Sequence, residues 1–153
     1  MATTFINYNL NYGFYIAESF MQLAMYYIYT EAKNPQYIFS DKSGLLRDFR
    51  FKIDGIENPY FVLSWSSIFI DFTDEQTMIT VLQNVMINLQ NRGMYISLGE
   101  LQEIDSVDFE FKNSYSRKPF PTSEIIKIIE ALVQTMQGTW SSTNFSMKID
   151  YRY

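Results

Sequence analysis

Apolar residues recur along this chain with two different periods. From Thr73 to Arg92 they fall at Met78, Val81, Leu82, Val85, Met86 and Leu89, the spacing of one helical face. Thr73 is the expected N-cap, Gln76 completes a capping box, Asp74 and Glu75 sit where the helix dipole favours acids, and Gly93 ends the segment. A second helix is predicted after Pro119-Phe120-Pro121, capped by Thr122 or Ser123, with Glu124 in its first turn. Its apolar face is Ile125, Ile128, Ile129, Leu132, Val133 and Met136, and Gly138 ends it. Phe14 to Tyr29 reads as a third helix, with a narrow polar stripe of Glu18, Gln22, Tyr26 and Tyr29 and apolar residues elsewhere. A helix so broadly apolar belongs in a core or at a subunit interface. At about 16 residues it falls short of the ~20 needed to cross a bilayer.

Elsewhere the period drops to two. Phe49 to Asp54, Asp108 to Lys112 and Phe145 to Arg152 alternate apolar and polar residues, the pattern of half-buried antiparallel strands. On their open face they would display Arg50, Lys52, Glu110, Lys112, Lys148, Asp150 and Arg152, a mixed-sign lattice suited to cross-strand pairing. Tyr60 to Phe72 is apolar on both faces and reads as a central strand bent near Ser64 to Ser67, reached through a turn at Asp54 to Pro59. The pattern Phe-x-(Phe or Met)-Lys opens at Phe49, Phe109 and Phe145, but four residues at unequal spacing make a coincidence of patterning and not a repeat. The expected architecture is a single α+β domain over residues 1–153. It has an antiparallel sheet of four to five strands and about three helices packed mainly on one face, in the order α-β-β-α-β-α-β. Met1 to Asn11, Ser40 to Gly44 and Ser114 to Pro121 are expected to be the least ordered parts.

Composition narrows the function. The 153 residues are 47% hydrophobic and 18% aromatic, with no histidine and no cysteine. A chain of this size buries roughly 70% of its unfolded surface without disulfides or metal. The usual carrier of protons near neutral pH, the thiolate nucleophile and the common zinc ligands are all missing. No phosphate-cradling glycine loop, nucleophile elbow or calcium loop is present, so no enzyme activity, cofactor or metal is expected. A net charge of -5 argues against a sequence-independent grip on nucleic acid. With no signal-like amino terminus, cytoplasm is the expected compartment, with no membrane association.

Two carboxylate groups stand out. Asp71, Asp74 and Glu75 sit where a helix begins, and capping accounts for them. Glu100, Glu103, Asp105, Asp108 and Glu110 form a run with no Lys or Arg from Glu100 through Phe111. Such a run is either a solvated loop or a surface that steers a basic partner by charge. Tyr95, Tyr115, Tyr151, Tyr153 and Trp140 lie near element ends, where an amphipathic ring can meet a partner. The expected partner-binding residues are Glu100, Glu103, Asp105, Asp108, Glu110, Tyr95 and Tyr115. The expected role is noncatalytic binding of a protein with a basic surface, in the manner of a dedicated inhibitor or of a toxin-immunity or phage anti-defence protein. Two alternatives stand beside it. One is a small-molecule module, its aromatic pocket lined by the Phe14 helix and the central strand with polar groups from Gln83, Asn84 or Asn88. The other is a structural subunit that self-associates through the Phe14–Tyr29 helix.

Overall fold

Thr4 and Ile6 face inward near the amino terminus, and that alternation builds a strand where disorder is expected from the sequence. The computed structural model describes residues 2–56 and 61–153 and, at Asn9, the backbone alone. Strand β1 (Thr3–Asn9) turns at Leu10, which takes the left-handed conformation (φ 51°), and returns antiparallel as β2 (Tyr12–Ala17). Gly13 is required there, because a Cβ at that position would lie 2.1 Å from the carbonyl oxygen of Ile6. β2 runs directly into helix α1 (Glu18–Ala32), so the expected helix begins four residues late, its first turn having been claimed by the hairpin.

The chain continues through α2 (Lys42–Ile53), α3 (Trp65–Ile68), α4 (Phe72–Arg92), β3 (Tyr95–Ile96) and α5 (Leu98–Gln102). It ends with α6 (Phe109–Ser114), β4 (Phe120–Pro121), α7 (Thr122–Gln137) and β5 (Phe145–Ser146). The fold is α+β, about 54% helical with seven helices among the described residues. Its sheets are small: β1-β2-β5 is mixed, with β5 parallel to β2, and β3-β4 is an antiparallel pair. This replaces the expected four-to-five-stranded antiparallel sheet with three helices on one face.

Physical reasons for the correction lie in each misread segment. In Phe49 to Asp54 residues i and i+4 share a face whether the chain is strand or helix, so alternation over six residues cannot separate the two. Burial separates them: Leu45, Phe49 and Ile53 are fully buried and Phe51 between them is partly exposed, the helical outcome. The Ser40 to Gly44 stretch, expected to be loose, starts α2, with Asp41 as N-cap accepting from the Gly44 amide. Asp108 caps α6 in the same way, which makes its alternating residues helical too. The Phe-x-(Phe or Met)-Lys pattern therefore falls twice in helices and once across the end of a two-residue strand. In Phe145 to Arg152 only the first two residues join a sheet, although Met147 and Tyr151 still face inward. The expected central strand is instead the short helix α3, around the buried Trp65; Glu57 to Tyr60, part of that strand and its leading turn, lie outside the described residues.

α4 and α7 match their periodicity closely, except that Asp71 and not Thr73 caps α4 and α7 has no side-chain cap. α1 packs against α2, α4 and α7, and Met21, Leu23, Ala24, Met25 and Ile28 are fully buried. Its apolar surface is thus covered within the chain, which removes it as an exposed self-association face. Among the described residues no helix is long and apolar enough to cross a membrane.

Candidate functional site

The acidic run is partly answered once the chain folds, because Arg92, Lys112 and the distant Arg50 come to it. Glu100 accepts hydrogen bonds from the Tyr27 hydroxyl and from Arg92, with which it forms an ion pair. Burial lifts Tyr27 above the ordinary phenol range, which keeps it a neutral donor. Arg50 bridges the Asp54 carboxylate at 2.7 Å and the Asp105 carbonyl at 2.9 Å. Lys112 folds back to donate to the carbonyls of Gln102 and Ile104. Burial lowers its ammonium below the usual lysine value, and nearby Asp105 pulls it partly back. Glu103, Asp105 and Glu110 keep exposed side chains.

Asp108 has a structural task. One of its carboxylate oxygens accepts from the Phe111 amide at 3.1 Å and the other from Gln22 at 2.9 Å. Gln22, almost wholly buried, also donates to the Lys52 carbonyl at 3.1 Å, so one amide joins α1 to the end of α2 and the start of α6. Further stitches tighten the same seam: Ser106 to the Ile53 carbonyl at 2.7 Å and the Val107 amide to Asp54 at 3.2 Å. Replacing Gln22 with leucine is expected to cost about 1–2 kcal/mol, because it leaves a half-buried carboxylate oxygen of Asp108 without its donor, while the Lys52 carbonyl keeps the Gly55 amide at 3.2 Å. Urea unfolding reads this directly; a change within about 0.5 kcal/mol would mean that the seam holds without it.

Of the expected aromatic contacts, Tyr95 is well exposed on β3, whereas Tyr115 is buried with its hydroxyl donating to the Ser19 carbonyl at 2.8 Å. Tyr115 therefore belongs to the core, in an aromatic cluster with Phe111, Phe120, Tyr151 and Tyr153. Trp140 donates to the Gly13 carbonyl and packs on Phe14. Asp71, Asp74 and Glu75 serve the start of α4 and the loops beside it, Glu75 accepting from the Tyr8 hydroxyl.

Beneath the seam lies a cavity of about 380 Å³. α1 contributes Glu18, Ser19 and Gln22, α2 contributes Phe51 and Lys52, and α6 contributes Glu110, Phe111, Asn113 and Ser114. Gly55, Phe61, Asp108, Tyr153 and Ala2 complete the described lining. Lys52, expected to face outward from a strand, is buried here; its ammonium meets Asp48 at 2.8 Å and Ser64 at 3.3 Å and lies over the Phe61 ring. Of the residues expected to line an aromatic pocket, Asn84 bonds to Tyr37, while Asn88 bonds to Glu31 and lines a separate, much smaller cavity of about 50 Å³ with Tyr27. Among the described residues no group of three or more carboxylates converges closely enough to hold a metal ion.

Around the seam four apolar side chains stand in solvent: Phe51, Ile56, Val107 and Phe109, the last 90% exposed. Sequence reasoning named Asp108 and Glu110 but missed Glu18, Gln22, Phe51 and Lys52, whose proximity depends on contacts between distant segments. The available signal was a Gln and a Lys set within otherwise apolar runs. No protein-family model matches the chain, and neither does any curated protein or solved structure.

Proposed function

We propose that this chain is a noncatalytic binding protein whose partner is a protein with a basic surface, a role that suits an inhibitor or neutralising factor. The observation that supports this is the meeting, at one seam, of Phe51, Ile56, Val107 and Phe109 with the exposed carboxylates of Glu103, Asp105 and Glu110. An exposed apolar centre with a charged border is the anatomy of a docking surface. Arg92 pairs with Glu100, whereas Arg50 and Lys112, beside the other acids of the run, direct donors to its backbone carbonyls. The border thus offers a partner mostly acceptors. Hydrogen bonds across the seam hold the surface in one shape, which limits the ordering that binding would otherwise require.

Reversal of Glu103, Asp105 and Glu110 to lysine tests this reading. Asp108 is left intact because it caps α6 and holds Gln22. A tagged chain captures its partner from a lysate of the cells that make it, and association of the purified pair is then timed at two salt concentrations. The expected result is an on-rate lowered about tenfold or more at low salt, converging on the parent value at high salt. Phe109→Ala is expected to speed dissociation. A captured protein whose kinetics neither change alters would refute the assignment of this face.

A further inference from the structure

We propose that the cavity beneath the seam binds a guanidinium or ammonium group carried on an apolar stem. Its volume of about 380 Å³ falls within the roughly 300–1,000 Å³ of small-ligand sites. Phe51, Phe61 and Phe111 give it aromatic walls, on which a cation's stem can lie and its head can stack.

The charge of the ligand follows from the balance of donors and acceptors. On the donor side, Gln22 directs its amide hydrogens to Asp108 and the Lys52 carbonyl, and the Lys52 ammonium is matched by Asp48. On the acceptor side, Asp108 takes one hydrogen bond on each oxygen, leaving lone pairs on both. The carboxylates of Glu18 and Glu110, also in the lining, accept no hydrogen bond from a described residue. An entering anion would face three carboxylates, an ammonium already paired and neutral donors such as the Asn113 amide, whereas a cation rich in N–H groups would meet carboxylates with lone pairs to spare. A metal ion fits less well, because the carboxylates are spread over α1 and α6 and do not converge. A planar guanidinium, with donors on three sides, can bridge acceptors on separate walls and stack on an aromatic ring at once.

This chemistry has two sources: a free alkylguanidine or amine, and the side chain of a basic residue on a docking protein. In the second case the cavity would be the anchor pocket of the surface proposed above. Phe51 and Glu110 belong to both, but binding of a small probe to the isolated chain needs no partner, so the two readings fail separately.

The experiment is titration of the isotopically labelled chain with n-butylguanidinium, following the backbone amides of Ser19, Gln22, Phe111 and Ser114. Sodium butyrate serves as the anion of matching stem. Saturable shifts with the guanidinium and none with butyrate are expected. Glu18→Gln and Glu110→Gln should each weaken binding about tenfold, as turning one charged acceptor into a neutral one implies. Glu103→Gln, outside the cavity, should leave binding unchanged, and thermal melts check that all three variants fold. The acetyl-Phe-Arg-Phe-amide peptide separates the sources: tighter binding than the free probe assigns the cavity to a protein side chain, weaker binding to a free small cation. Absence of saturable shifts, equal binding of butyrate, or indifference to both cavity substitutions would overturn the proposal.

Discussion

Replacement of Lys52 by methionine is expected to destabilise the fold by about 3–5 kcal/mol, the usual consequence of removing one partner from a buried ion pair. The Lys52 side chain is fully buried and Asp48 nearly so, with 2.8 Å between ammonium and carboxylate. Methionine fills most of the space of the lysine stem, so lost packing contributes little. The loss comes from leaving the Asp48 carboxylate in the interior without its cation. Its second oxygen is already buried without a hydrogen-bond partner among the described residues. For that reason the double variant Asp48→Leu with Lys52→Met should recover most of the loss, returning to within about 1–2 kcal/mol of the parent. Urea midpoints of the parent, both single variants and the double variant form a cycle that measures the coupling. If the double variant falls as far as the single one, the lysine acts through packing and not through charge. The double variant also bears on the cavity. It removes one positive and one negative group together, so n-butylguanidinium should bind it at least as tightly as it binds the parent.

What could be read from the sequence followed element length except at the 12-residue α2, where Phe49 to Asp54 alternates as a strand would. α4 and α7 span 21 and 16 residues, long enough for several turns to repeat the apolar spacing, and both end at glycines seen in advance. α3, α5 and α6 span four to six residues, fewer than two turns, and too few to display a helical period. The hairpin was hidden because β2 and α1 are contiguous and share one apolar run, in which Phe14 and Ile16 fit either period. In the site, Asp108 and Glu110 were visible as acids. Their division of labour was not, because it depends on Gln22 reaching one and no described donor reaching the other. Sequence spacing likewise made Glu100 to Glu110 look uncompensated, since Arg50 and Arg92 join it only in three dimensions. Tyr115 shows the converse: a ring at the end of a short helix whose burial is set by Phe120 and Tyr151, residues of other elements.

Asp74→Ala is expected to cost about 2–3 kcal/mol at neutral pH, through loss of hydrogen bonds to a charged acceptor. Asp74 is 2% exposed. One of its oxygens accepts from the Ser40 amide at 2.8 Å and the Ser40 hydroxyl at 3.1 Å, and the other accepts from the Ile70 amide at 2.9 Å. A single carboxylate thus pins two loops to the first turn of α4. Asparagine should be no better than alanine there, since whichever oxygen becomes NH₂ would point a donor at a donor. Burial by itself would raise this carboxyl, but the donors from Ile70 and Ser40 outweigh it and hold its pKa below the usual value. The sign of the pH dependence follows. A depressed carboxyl stabilises the fold above its unfolded pKa of about 3.9, and that contribution disappears as pH falls through the lower folded value. The stability gap between parent and Asp74→Ala, measured in urea at pH 7 and again below pH 4, should therefore shrink at the acid end. A gap independent of pH would mean that the side chain matters by its shape alone. A gap that widens in acid would mean that the neutral acid is the form the fold prefers, and would place burial above hydrogen bonding in setting the charge of this residue.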